Sequence, residues 1–353
     1  MTLETIIQEG YEKIVKVQDA GTGLSAYIAI HNTTLGPALG GCRMWPYASQ
    51  SAALSDVLRL SQSMTLKNAL AGLNLGGGKA VIIGDPKTDK SPALFEAFGR
   101  AVQSLNGDYY TAIDVGVTTE DIGHSARQTE YVAGLTQDPS LFTAYGVFIG
   151  LKATAKRRLG ADNLHGVKVI VTGLGQVGFE LCRLLAEAGA ELIVADIDLA
   201  KVRTAQDQFG ADEAHPLEAF AKPADIFSPC ALGGVLNSAT VPLLQVAAIA
   251  GAANNQLAQR NIGDILHQQG ILYAPDYAIN AGGVISIADE IAGTWNRERV
   301  LAHCARITDT LGTIFDRSAT QDQATNRIAD NLAADRLNNP QQKNKRDDAK
   351  GVA

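Results

Sequence analysis

Residues 167–196 constrain the fold more than any other part of the chain. Val167-Lys-Val-Ile-Val171 is an apolar, β-branched run and predicts a strand. Gly173-Leu174-Gly175-Gln176-Val177-Gly178 follows at once. A helical pattern then runs from Val177 to Ala188 and is closed by Gly189. Glu191-Leu-Ile-Val-Ala195 predicts a second strand, and Asp196 ends it. Strand, tight turn, helix and strand at this spacing make a βαβ unit. Such a unit needs a parallel sheet covered on both faces, so the fold class is α/β.

The turn itself carries chemistry. A lone G-x-G-x-x-G is weak, but here it follows a strand and opens a helix, which is the context the motif requires. Gly173 permits the tight turn, Gly175 lets a pyrophosphate approach the backbone, and Gly178 lets the helix close on the strand. The free N–H groups of the helix start, including Gln176 and Val177, would face the phosphates. Asp196 stands 18 residues beyond Gly178. A carboxylate there accepts ribose hydroxyls and repels a 2′-phosphate, so NAD is expected over NADP.

A second cluster lies upstream. Ser25–Ile30 and Ala80–Ile83 predict strands, and Leu54, Val57, Leu58 and Met64 mark a helix ending near Lys67. Ser91-Pro92 caps a further helix through Leu105, ended by Gly107, and Tyr109–Ile113 predicts a strand with Asp114 at its end. Gly76-Gly-Gly-Lys79 precedes Ala80. Three consecutive glycines cost backbone entropy and need a reason. Clustered lysines favour a neutral amine, a neutral amine is a base, and a nearby carboxylate can shuttle protons. A phosphate-binding glycine turn is the bland alternative, but the Walker spacing is not met.

Length suggests two domains, since 353 residues exceed one ordinary core. The net charge of −7, with no Lys/Arg run, argues against nucleic acid as a partner. Cys42, Cys182, Cys230 and Cys304 are widely spaced, which fits reduced thiols and a cytoplasmic setting. The first residues lack an apolar signal segment. The uncharged stretch 226–259 contains Pro229, Pro242, Gly233 and Gly234, so it reads as buried core and not as a membrane span. The six histidines are scattered, and no metal site is expected. A single long helix is expected over Arg297–Arg317, and Asn338–Ala353 reads as a polar, frayed end.

Several longer stretches are recognisable. They include His31–Gly41, Met64-Thr-Leu-Lys-Asn68, Gly72–Lys79, Thr111-Ala-Ile-Asp-Val-Gly116, Thr143-Ala-Tyr-Gly146, Ala224–Gly234, Gly251–Leu257 and Tyr273–Gly283. In these stretches the chain resembles the Glu/Leu/Phe/Val amino-acid dehydrogenase family, its leucine branch most. The resemblance runs in family order from about residue 25 to 335.

It implies two α/β domains separated by a cleft, one substrate-binding and catalytic (1–140 plus 326–353) and one NAD-binding (141–325). It implies oxidative deamination of a branched aliphatic L-amino acid to its 2-oxo acid and ammonium by a homo-oligomer, dimer or octamer. By resemblance, Lys79 is the catalytic lysine, Asp114 the general acid/base and Lys67 the ligand of the substrate carboxylate. Gly40 and Asn255 also meet the substrate. Thr143, Ala253 and Asn254 would surround the nicotinamide, and Cys230, Ala231 and Leu232 would line the cofactor trough; for Cys230, plain packing is the favoured reading. Leu39, Met64, Ala112, Val284 and Ile287 would select an apolar side chain, although pocket wall and core look alike in sequence. None of them could pair a second carboxylate, so glutamate is expected to be rejected.

Two departures from the leucine branch, Cys42 and Ala292-Gly-Thr-Trp295, bear on substrate preference. An aromatic amino-acid dehydrogenase and a catalytically silent NAD-binding regulator are the rival readings. Retention of both lysines and Asp114 argues against the second.

Overall fold

A computed structural model describes residues 1–340, so most of the polar end lies outside the described residues. The chain divides into two α/β units. Among the described residues, the first comprises 1–138, Glu290–Gly293 and 333–340; the second comprises Pro139–Asp289 and Thr294–Leu332.

The first unit is built from β1 (Thr2–Ile6), β2 (Lys13–Asp19), β3 (Leu24–Asn32), β4 (Ala38–Trp45), α1 (Gln50–Leu70), β5 (Gly76–Ile83), α2 (Pro92–Gln103), β6 (Tyr109–Ile113) and α3 (Thr119–Ala126). Its sheet runs β1-β2-β3-β5-β4-β6. Strands β1, β2, β3 and β5 pair antiparallel, whereas β4 pairs parallel with both β5 and β6. Side chains alternate across the sheet. Cys42, Met44, Ala80, Ile82 and Tyr109 join Leu94, Phe95 and Phe98 of α2 in one core. Val81, Tyr27 and Ala29 join Ala53, Val57 and Leu60 of α1 in the other. Lys79, Arg43 and Ala112 alternate with residues of the first core, and therefore belong to the α1 face. The three glycines before Lys79 are not a turn; they are the buried start of β5.

The second unit contains α4 (Pro139–Leu159), β7 (Lys168–Thr172), α5 (Gln176–Glu187), β8 (Glu191–Ala195), α6 (Leu199–Phe209), β9 (Asp212–Glu213), β10 (Ile226–Pro229), β11 (Ala248–Ile249), α7 (Ile262–Gln268), β12 (Leu272–Tyr273), α8 (Asp276–Ile279), α9 (Gly282–Ile291), α10 (Arg297–Ala305), α11 (Ile307–Gln321) and α12 (Thr325–Asn338), except for the C-terminal ends of α9 and α12, which belong to the first unit. Its sheet is all parallel, in the order β12-β11-β10-β7-β8-β9. The strand order reverses between β7 and β10, and the carboxyl ends flanking that point are where open α/β sheets bind ligands.

Three expectations change. The helix expected over Arg297–Arg317 is two helices, because Arg306 caps α10 and starts α11. The helix expected through Leu105 ends at Gln103. The chain rejoins the first unit at Ala333 and not near 326. The start of α12 is tied within the second unit, where Thr325 Oγ1 donates to the Tyr273 carbonyl (2.6 Å) and Asn326 Nδ2 to the Arg260 carbonyl (3.1 Å). Ala333 and Leu337 instead join the Leu35–Ala69 cluster, and Arg336 donates to the carbonyls of Ala69 and Leu73 at 2.7 and 2.8 Å. Glu290 likewise accepts from the backbone N–H groups of Gly134 and Leu135 at 3.2 Å each. Among the described residues no helix is long and apolar enough to cross a membrane.

Candidate active site and dinucleotide site

In the first unit, Lys79 lies on β5 and is 6% exposed; Lys67, in the last turn of α1, is 8% exposed. Buried ammonium groups need partners. Lys79 Nζ lies 2.7 Å from Asp114 Oδ2. Asp114 follows β6 and reaches the lysine past Gly41, where an added Cβ would lie 2.9 Å from the Asp114 Cβ. Burial alone would raise the Asp114 pKa. The Lys79 ammonium and the Arg43 guanidinium more than offset it, and hold the carboxyl down to about 2. Asp114 is therefore a charged carboxylate at working pH.

Glycines bring these elements together. A Cβ at Gly77 would sit 2.1 Å from the Thr65 nitrogen of α1. A Cβ at Gly40 would sit 1.8 Å from the Gly78 carbonyl oxygen and 3.3 Å from Met64 Cγ. Asn68 Nδ2 donates to the Gly76 carbonyl at 2.6 Å, and Tyr109 Oη to the Gly40 carbonyl at 2.6 Å. The end of α1, with Met64 and Lys67, is thus laid directly on the glycine start of β5. Leu39 and Ala112 are buried on β4 and β6 at 1% and 2% exposure.

Sequence reasoning missed Arg43. Its Nε lies 3.2 Å from Asp114 Oδ2 and its Nη1 lies 3.1 Å from Asp56 Oδ2. Alternation along β4 from Gly41 could have placed it beside Asp114.

In the second unit, Gly173 has φ +98°, which glycine alone adopts readily. A Cβ there would meet Ala231 at 2.7 Å, and a Cβ at Gly178 would lie 1.9 Å from the Gly173 carbonyl oxygen and 3.2 Å from Cys230 Cβ. The turn after β7 and the Cys230–Ala231 segment after β10 therefore touch at the strand reversal. Gly175 caps α5 with no side-chain hydrogen bond, and a Cβ there would enter open space. Uncapped N–H groups beside an open glycine are what a pyrophosphate fits. Asp196 accepts from the N–H groups of Leu174 (2.5 Å) and Asp198 (2.8 Å), and each oxygen keeps a lone pair for a ribose hydroxyl. Gln176 accepts from Ser140 Oγ at 3.3 Å, and Val177 is half-buried. Leu232 is exposed, and Cys230 Sγ sits 3.7 Å from Ser228 Oγ.

Asn254 and Asn255 rest on residues the sequence reading did not single out. Asn280 Nδ2 donates to Asn254 Oδ1 (2.9 Å), and the Asn255 N–H donates to the buried Asp276 (2.7 Å). Asn255 has φ +51°, a left-handed conformation that the Asp276 bond helps to fix. Ala253 N–H donates to the Pro229 carbonyl at 2.8 Å. Thr143 Oγ1 donates to the Pro139 carbonyl at 3.0 Å and lies 2.6 Å from where a Gly283 Cβ would be. Ile287 is buried on α9 and Val284 half-buried.

Comparison with known proteins agrees with both halves. Residues 11–138 match the family model described as Glu/Leu/Phe/Val dehydrogenase, dimerisation domain. Residues 194–339 match the model described as Glutamate/Leucine/Phenylalanine/Valine dehydrogenase. The chain is 50% identical to a leucine dehydrogenase of Bacillus cereus, over 96% of this chain and 94% of that one. It is 46% identical to a phenylalanine dehydrogenase of Thermoactinomyces intermedius, over 95% and 93%. The crystal structure of L-tryptophan dehydrogenase from Nostoc punctiforme superposes with a TM-score of 0.82 at 44% identity, covering 94% of this chain and 97% of that one.

Proposed function

The chain belongs to the Glu/Leu/Phe/Val dehydrogenase family, and on that premise we propose that it deaminates a branched aliphatic L-amino acid with NAD. The reaction is L-amino acid + NAD⁺ + water → 2-oxo acid + ammonium + NADH + H⁺. The single observation that carries the reading is the buried Lys79–Asp114 pair, 2.7 Å apart.

Bound NAD supplies the acceptor for the hydride that leaves the substrate α-carbon. Gly173, Gly175, Gln176, Val177 and Gly178 hold its pyrophosphate and Asp196 its adenosine ribose. Thr143, Ala253 and Asn254 are assigned to its nicotinamide end, and Cys230, Ala231 and Leu232 to the wall beside it. Lys67 holds the substrate carboxylate, with Gly40 and Asn255 as further substrate contacts. Lys79 activates the water that adds to the imine carbon, and Asp114 receives and returns the proton. The amino nitrogen then leaves protonated, as ammonium. Leu39, Met64, Ala112, Val284 and Ile287 choose the side chain. The protein acts as a homo-oligomer in the cytoplasm, in keeping with a first unit that matches a dimerisation domain and four free cysteines.

A panel of L-amino acids, followed by NADH formation, tests the substrate. Leucine, valine and isoleucine should turn over within about 100-fold of one another, since one methylene is worth ~1–3 kcal/mol. Glutamate should give no rate above background. A higher kcat/KM for phenylalanine or tryptophan than for leucine would replace the aliphatic reading by the aromatic one, which the 46% and 44% identical relatives keep in view.

Cofactor choice rests on Asp196. Wild type should prefer NAD to NADP by at least 100-fold in kcat/KM, about 2.7 kcal/mol. Asp196→Ala should narrow that gap at least tenfold. Equal use of both cofactors by the wild type would refute the role given to this carboxylate.

A further inference from the structure

A guanidinium held between two carboxylates is the least explained feature of the first unit. Arg43 Nε lies 3.2 Å from Asp114 Oδ2, and its Nη1 lies 3.1 Å from Asp56 Oδ2. Asp56, on α1, is itself fixed from two further sides. Tyr47 Oη donates to its Oδ2 at 2.7 Å, and Arg59 Nη2 lies 2.7 Å from its Oδ1. The side chains of Arg43, Asp56 and Asp114 are 18%, 17% and 15% exposed, so water screens them little.

Stability alone does not account for this arrangement. Asp114 already has a close cation in Lys79, at 2.7 Å on the same oxygen that Arg43 contacts. A second cation on one carboxylate oxygen costs desolvation and repels the first. Anchoring Arg43 on Asp56 offsets that repulsion and fixes the fork in one orientation.

We propose that Arg43, anchored by Asp56 and Tyr47, is a positioning residue that keeps Asp114 ionised and aimed at Lys79. The proposal rests on the proton-shuttling role given above to Asp114. The ionisable groups around Asp114 are Lys79 on β5, Arg43 and Cys42 on β4, Tyr109 on β6, Tyr47 after β4, and Asp56 and Arg59 on α1. Burial raises the Cys42 and Tyr109 values, so both stay neutral. Tyr47 is raised by burial and by its bond to Asp56, and stays neutral too. Lys79 and Arg43 are therefore the charged side chains in contact with Asp114, with Asp56 and Arg59 behind Arg43.

The sign follows. Arg43 stabilises the charged form of Asp114, so removing it raises the carboxyl pKa. The acid limb of the pH profile then moves to higher pH. An opposite charge at this distance shifts a carboxyl by about 1–3 units.

The test measures kcat and kcat/KM against pH, with NAD binding followed separately by fluorescence. Arg43→Gln should move the acid limb up by about one unit or more and, because Asp114 also loses its aim at Lys79, lower kcat at neutral pH at least tenfold. Its NAD affinity should stay within about twofold of wild type. Arg43→Lys and Asp56→Asn keep the cation but loosen its aim. They should leave the limb within about 0.3 units and lower kcat at least threefold. A folded Arg43→Gln whose acid limb does not move overturns the proposal. If that variant does not fold, wild-type kcat in both Arg43→Lys and Asp56→Asn overturns it instead. Asp114→Asn serves as the reference. If it retains most of its turnover, the shuttle role of Asp114 fails, which is a different failure from an unmoved limb in Arg43→Gln.

Discussion

Lys79→Ala is expected to lower kcat at least a thousandfold while leaving the Kd for NAD within about twofold. Proton transfer by a positioned side chain contributes about 10²–10⁴-fold, and in the proposed mechanism Lys79 also polarises the carbon that water attacks. Its side chain is buried beside Asp114 in the first unit, whereas the glycine turn belongs to the second. Loss of the amine therefore removes chemistry without touching the phosphate cradle. Folding should survive, because Asp114 keeps Arg43 at 3.2 Å and is not left as an unpaired buried charge. Stopped-flow or steady-state NADH formation measures the first quantity, and fluorescence titration the second. Turnover within tenfold of wild type, about 1.4 kcal/mol of barrier, would remove Lys79 from the mechanism.

The second unit was far more legible in the sequence than the first. A parallel βαβ unit is local, so strand, glycine turn and helix announce themselves within 30 residues. The observed elements Lys168–Thr172, Gln176–Glu187 and Glu191–Ala195 fall within a residue of the pattern. The first unit mixes antiparallel and parallel pairing, and its strand order β3-β5-β4 inserts a later strand between two earlier ones. No periodicity within one segment encodes that insertion. β1 has four exposed residues out of five, and alternation gives no signal where neither face is buried.

The site residues divide along the same line. Lys79 and Asp114 stood out as charges beside a glycine run and a strand end, and Lys67 at a helix end. Arg43 and Asp56 did not, because their importance lies in a contact between β4 and α1 that is 13 residues apart in sequence and unmarked by any motif. Asp276 and Asn280 were hidden for a similar reason. They support Asn255 and Asn254 from more than 20 residues away. The break at Arg306 was hidden because apolar spacing continues across it from Cys304 to Ile307.

Two glycine-to-alanine substitutions should move stability in opposite directions, and the contrast tests why this chain uses so much glycine. Gly77 lies in β5 beneath α1, where a Cβ would fall 2.1 Å from both the Thr65 nitrogen and its Oγ1. Backbone is the obstacle, so no rotamer change relieves the clash. Either α1 lifts from the sheet or β5 shifts, and both elements line the core on the α1 face. Thr65 is 1% exposed and Asn68, one turn later, is completely buried with its Nδ2 on the Gly76 carbonyl. Lifting α1 would break that bond and uncover a buried amide, at ~1–3 kcal/mol. Overpacking adds ~1–3 kcal/mol. Gly77→Ala should therefore lose ~2–6 kcal/mol, lowering Tm by at least roughly 4 °C at ~2–4 °C per kcal/mol. It should also raise KM for the amino acid, since Lys67 rides on the same helix end. Gly312 is the opposite case. It lies inside α11 with nothing within 4 Å of an added Cβ. Alanine there removes unfolded-state freedom and improves helix propensity by up to ~1 kcal/mol. Gly312→Ala should thus raise Tm by a few degrees at unchanged kcat and KM. Thermal melts of the two variants decide the matter. If Gly77→Ala melts within 2 °C of wild type, the close approach of α1 to β5 is not what the glycine run provides.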